Sequence, residues 1–292
     1  MRQLRFSCLL VVLVGVMAAC RDSSSPTTTV GLKDAHLPAT TRIVSLNGTV
    51  SEILVGLGLE QNIVGVDVTS TYPESLQRKA KVGHNRTISP EGVLALQPTL
   101  VIGLTQDVKP ALVEQFRSAG ARVLLFDQEH SAEGAKKLIR QVGDSLHRQA
   151  QADTLVLRLE TDLGKAPSAP APKPKVLFIY ARGTGTMMVA GGGTQVEKVV
   201  ELAGGQNAVQ GFRDFKPLTP EALVQANPDV ILLFDSGLKS LGGENGLWAV
   251  QGMNQTTAGK NRKVIAMEGA LLTGFGPRLG QAVSQLAQNL RK

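Results

Sequence analysis

Two stretches of this chain 130 residues apart have nearly the same layout: residues 88–102 and residues 218–232. In each, a Ser89 or Thr219 suited to cap a helix precedes a proline at the first helical position (Pro90, Pro220) and a glutamate in the first turn (Glu91, Glu221). A short apolar helix follows, then a proline that ends it (Pro98, Pro228) and a β-branched strand. A second echo lays residues 49–65 over 194–210, matching at Thr49/Thr194, Glu52/Glu197, Val55/Val200, Leu57/Leu202, Gln61/Gln206, Asn62/Asn207 and Val64/Val209. Both echoes run in the same order, so the chain is read as two similar lobes.

The N-terminus carries Arg2 and Arg5, an apolar run from Phe6 to Val16 and then Met17-Ala18-Ala19-Cys20. That is the pattern of a secretory signal over residues 1–19, too short to span a bilayer as a helix of about 20 apolar residues. Small residues just before a cysteine resemble a lipoprotein cleavage site, with Cys20 lipidated as the first mature residue; an unmodified thiol after ordinary cleavage is the alternative. The Ser/Thr-rich stretch that follows suits a flexible stalk, taken as residues 20–38. Cys8 leaves with the signal, so neither a disulfide nor a thiolate metal site is expected.

The formal net charge is +7, two units less without Arg2 and Arg5. With no basic run, aromatic interleaving or nucleic-acid-binding motif, no nucleic-acid partner is implied. A small anionic ligand or an anionic membrane surface suits the sign better.

Alternating strands and helices argue for α/β lobes with mostly parallel sheets, assigned to residues 39–130 and 176–292. Residues 131–164 keep apolar side chains at three- and four-residue spacings (Leu138, Ile139, Val142, Leu146, Leu155, Leu159, Leu163). They predict one long amphipathic helix, on the order of 45–50 Å, running along both lobes. A Pro-rich segment, residues 165–175, returns the chain in extended form, and a ligand groove is expected between the lobes.

That architecture resembles the ABC-importer substrate-binding proteins with a rigid connecting helix, which serve haem, siderophores and cobalamin. The closest likeness is to the haem-binding branch, through Val82-Gly83-His84-Asn85-Arg86-Thr87-Ile88 before the Pro90-Glu91 unit, and through Leu271-Leu272-Thr273-Gly274-Phe275-Gly276-Pro277-Arg278. The haem-binding family usually places a tyrosine where His84 stands; a neutral imidazole is also an ordinary axial ligand to haem iron. The resemblance implies haem as the transported ligand, His84 as an iron ligand and Arg86 as a propionate partner. Tyr180 is the second candidate ligand, with core packing as its alternative. Arg182, Arg278, Met187 and Phe275 are the further propionate or pocket candidates, the arginines because their fork matches a carboxylate. Glu91 and Glu221 would dock on a two-fold permease dimer, the plainer reading being that each favours its helix N-terminus.

A lipid-anchored, extracytoplasmic, monomeric haem carrier is thus expected, with the permease dimer and, through Cys20, the membrane as partners. A ferric siderophore or corrinoid is the alternative ligand, disfavoured by an aromatic content of 4%. A surface enzyme is a third reading; no nucleophile elbow or His-Glu-x-x-His motif supports it. The Gly-rich residues 190–194 lack the Gly-Lys-Ser/Thr of a phosphate loop.

Overall fold

The first sheet grows around β1 (Ile43–Ser45), three buried residues whose carboxyl end runs straight into α1 (Gly48–Gly56). Asn47 makes that turn, its side chain accepting hydrogen bonds from the Thr49 and Val50 amides. The computed structural model describes residues 38–84 and 87–292. The signal segment, Cys20, the stalk through residue 37 and Arg86 lie outside the described residues. Further strands of the first lobe are β2 (Ile63–Val66), β3 (Ala80–Lys81), β6 (Leu100–Leu104) and β7 (Arg122–Phe126), all parallel in the order β3-β2-β1-β6-β7. A two-stranded hairpin, β4 (Gly83–His84) with β5 (Thr87–Ile88), leads into α2 (Pro90–Leu94), and α3 (Pro110–Ser118) lies between β6 and β7.

The helix expected across residues 131–164 is two helices. α4 (Ala132–Ser145) ends at Leu146, and α5 (Gln149–Gly164) runs back against it, with Lys136 3.0 Å from Glu160 and Arg140 3.5 Å from Asp153. The reversal is a Schellman turn. His147 sits in the left-handed region at φ 53°, its amide bonding to the Asp144 carbonyl, while the Arg148 amide reaches the Gly143 carbonyl at 2.7 Å. The joining element is therefore α5, 16 residues long, spanning about 24 Å.

The second lobe is built on β8 (Lys175–Ala181), which pairs antiparallel with β9 (Met187–Ala190). α6 (Gln195–Leu202), β10 (Gln206–Asn207), β11 (Phe215–Pro217), α7 (Pro220–Ala226) and β12 (Val230–Phe234) follow. Then come α8 (Asp235–Ser240), α9 (Glu244–Trp248), α10 (Thr257–Asn261), β13 (Val264–Met267), α11 (Gly269–Thr273) and α12 (Leu279–Leu290). The parallel neighbours β10-β8-β12-β13 repeat β2-β1-β6-β7. Both echoes land on equivalent elements: Ser89 and Thr219 cap α2 and α7, and the second echo covers α1 with the loop to β2 and α6 with β10. One core joins the inner face of both sheets to α1, α4, α5, α6 and α12, with Ile43, Ile102, Leu138, Leu155, Phe178, Leu232 and Leu286 all in it. The outer faces carry separate cores, around Val101 and Phe116 in the first lobe and Leu233 and Trp248 in the second.

Candidate functional site

In parallel α/β sheets, ligands bind outside the carboxyl ends of the strands. Here the ends of both sheets open on one cleft, a cavity of about 390 Å³. The first lobe lines it with Asn47, Gly48, Thr49, Glu52, Thr69, His84, Gln106, Asp107 and Gln128. The second contributes Gln195, Phe234, Ala270, Thr273 and Gly274. Amides and hydroxyls dominate this lining. His84 reaches it from the hairpin, opposite Thr87, where Gly83 takes φ 108°, a value that needs glycine.

Buried polar groups fix the first-lobe wall. Asp67, fully buried after β2, accepts from the Thr69 amide at 3.0 Å, from the Ser70 hydroxyl at 2.6 Å and from the Thr69 hydroxyl. Thr69 in turn accepts from the Gly48 amide at 3.2 Å, and Ser70, Ser51 and Ser45 form a buried hydroxyl chain. Asn47 donates to Asp107 at 2.8 Å. The cleft-facing turns after β1, β2 and β6 are thereby tied together.

Tyr180 ends near, not in, this lining. Its ring packs edge-on against Phe234, 6.2 Å between centroids, and Phe234 is a cleft residue. The exposed Arg182 guanidinium lies over the Tyr180 ring at 5.5 Å.

Three residues expected at the ligand are placed elsewhere. Phe275 is 1% exposed at φ 47°, with its ring 5.3 Å from His130; it is a core residue and offers no face to a ligand. Met187 lines a separate hollow of about 410 Å³ in the second lobe, with Leu218, Pro220 and Val250. Arg278 has its guanidinium committed to carboxylates, which leaves no fork for a propionate. Nη2 and Nε reach the Glu52 carboxylate at 2.5 and 2.9 Å, and Nη1 reaches Glu268 at 3.0 Å. The Tyr72 ring covers the guanidinium at 3.7 Å. Burial lifts the Glu52 carboxyl above the usual carboxylate range, opposed by Arg278 and reinforced by Glu268. Burial works against the Arg278 charge, but the two carboxylates raise its pKa overall.

The segment from Gly274 to Arg278 is instead a cross-lobe clasp. The Gly274 carbonyl accepts from Thr49 Oγ1 at 2.6 Å and from Gln128 Nε2 at 2.8 Å, both in the first lobe. On the same seam His130 Nε2 meets Gln195 Nε2 at 3.0 Å, and burial holds the His130 imidazole below the ordinary histidine range. The Gly-rich loop closes on its own helix, the Gly193 amide donating to Glu197 at 2.7 Å. Sequence reasoning missed most of the cleft: Asn47, Thr69, Gln106, Gln128, Gln195 and Phe234 were not singled out. The available signal was their position just after a predicted strand or at a helix start. Among the described residues, no group of three or more His, Cys, Asp or Glu is placed to hold a metal ion.

Two lobes on one joining helix, with a polar cleft at the strand ends, define a substrate-binding protein, and the chain belongs to the periplasmic binding protein family, whose model matches residues 43–271. It is similar to the ABC transporter substrate-binding lipoprotein YvrC of Bacillus subtilis (strain 168), 29% identical over 85% of this chain and 79% of that one. Among solved structures it is similar to the periplasmic haem-binding protein RhuT of Roseiflexus sp. RS-1 in its apo form. That pair is 39% identical, covering 86% of this chain and 97% of that one, with a TM-score of 0.81. The haem-binding protein HmuT is 31% identical over 86% of this chain and 84% of its own, with a TM-score of 0.76. HmuT has also been solved with a histidine, a tyrosine or an arginine changed to alanine.

Proposed function

We propose that the protein is an extracytoplasmic, lipid-anchored carrier that takes up haem between its lobes and delivers it to an ABC-type import permease. The observation that carries this reading is His84 on the cleft, facing a lobe that holds Tyr180 beside a cleft phenylalanine. The residues replaced in HmuT support it. Its tyrosine and arginine are two positions apart, as Tyr180 and Arg182 are, and its histidine precedes the tyrosine by 99 residues, against 96 here. A neutral imidazole and a phenolate are both haem-iron ligands, and the Arg182 guanidinium lies over the Tyr180 ring, on the side chain two residues along. Arg86 is retained as a propionate partner and Cys20 as the lipidation site. The relatives are binding proteins, in keeping with a carrier rather than an enzyme. No helix among the described residues is long and apolar enough to cross a membrane.

The amide- and hydroxyl-rich lining favours one second reading, a ferric chelate or corrinoid more polar than haem. A haemin titration of the protein followed by absorbance decides between them. A saturable, shifted Soret band that His84→Ala strongly perturbs, and Tyr180→Phe perturbs less, is expected. The reverse ranking would move the principal ligand to the second lobe. Absence of any specific Soret change would leave the polar chelate.

A further inference from the structure

We propose that Arg278 sets the separation of the two lobes across the cleft, and that parting it from Glu52 is the step that widens the cleft for ligand release. Glu52 belongs to α1 of the first lobe and Arg278 to the start of α12, 226 residues along the chain. Their side chains are 9% and 11% exposed, so the pair is nearly dry. Two parallel hydrogen bonds fix both distance and angle between the helices that carry them, which a point charge would not do.

The pair is wired to the cleft on both sides. Glu52 lines the cleft and also a lateral groove of about 630 Å³ that Arg278 lines from the other lobe, so the ion pair forms the wall between the two hollows. Glu268, the second partner of Arg278, accepts from the Ala270 and Leu271 amides at 3.0 Å each and so starts α11, which brings Ala270 and Thr273 to the cleft. A displacement of the guanidinium is therefore felt by α1 and α11 together. Arg278 does not shed its proton in a protein and keeps Glu268 when it parts from Glu52, so the cost of separation falls on the Glu52 carboxyl, which must then take up water or a proton. The pair is therefore dry when closed and lets water reach Glu52 when parted. The shared core behind it, through α4, α5 and α12, holds the lobes together in both cases.

Taking haem as the ligand, as proposed above, Arg278 acts as a positioning residue without touching it. The test uses the full-length protein with Cys8 and Cys20 replaced by serine and spin labels on cysteines introduced at the exposed Ser118 and Gln225, one in each lobe. In ligand-free protein, Arg278→Met should lengthen and broaden the label-to-label distance distribution, and Arg278→Lys, which keeps the charge without the fork, should do so less. In haem-loaded protein, Arg278→Met should speed haem loss to an excess of apomyoglobin about tenfold, equivalent to about 1.4 kcal/mol, with the Soret maximum unchanged. Adding Glu52→Gln to Arg278→Met should change neither readout further. Wild-type distances and wild-type haem loss in Arg278→Met would overturn the proposal. Should Arg278→Met fail to fold, Glu52→Gln and Glu268→Gln are read in the same way. If the wild type takes up no haemin, the carrier reading falls while the distance measurement still decides the role of Arg278.

Discussion

His130 shows how one side chain at the lobe seam carries a pH dependence. The Gln195 amide nitrogen can only donate, so the His130 Nε2 it faces at 3.0 Å must accept, which requires an unprotonated nitrogen there. Burial lowers the imidazole pKa in the same sense. The unfolded chain then binds a proton more readily than the folded one. The contribution to stability is full above the ordinary histidine value of about 6.5 and is lost as the pH falls from there through the lowered folded-state pKa. Urea denaturation between pH 7.5 and 5 should give a stability decline that is shallower in His130→Gln; equal slopes in the two proteins would show that His130 does not titrate against the fold. In the sequence His130 simply precedes Ser131, the cap of α4. Its real surroundings, Phe275 and Gln195, come from positions that only the tertiary fold brings near. Arg278 was misjudged for the same reason. The sequence shows an arginine after a proline, and nothing local announces a carboxylate 226 residues earlier.

At the scale of elements, the repeated Ser/Thr-Pro-Glu helices were legible because every signal in them is local. Cap, proline and glutamate lie within three residues, and both caps form as expected, Ser89 accepting from the Gly92 amide and Thr219 from the Ala222 amide. Glu91 and Glu221 are exposed on the first turns of α2 and α7. If they dock on a two-fold permease, reversing both charges to lysine should leave haemin binding unchanged and abolish permease-dependent haem uptake, and undiminished uptake would remove the docking role. The joining helix was not legible, because α4 and α5 both bury apolar residues at helical spacings on the faces they turn to the core. The period therefore reads on through the turn. The turn itself uses His147 at the left-handed position where glycine or asparagine is usual, so no breaker marks it. The strands expected after Pro98 and Pro228 were legible for the opposite reason: β6 and β12 are largely buried along their length and appear as short continuous apolar runs between turns.

For the whole molecule, the question is whether two lobes mean two folding units. Each sheet has its own outer core, but the inner faces of both contribute to one core through α4, α5 and α12. Unfolding the second sheet alone would strip α5 and α12 of the surface they bury and expose the inner face of the first. Such shared burial, at about 25 cal/mol per Å² of apolar surface, penalises any state with one lobe folded. The described residues accordingly belong to one compact unit. The chain's single tryptophan, Trp248, lies 5% exposed in the outer core of the second lobe, with Arg262 over its ring at 5.4 Å. Its fluorescence reports that lobe, whereas far-UV circular dichroism reports helices and strands of both. In a urea titration at neutral pH the two signals should share one midpoint, as a single cooperative transition requires. A tryptophan transition complete while a large part of the dichroism persists would mean that the second lobe unfolds alone. The joining helix would then be a tether between two independent folds, and the shared core would not couple them.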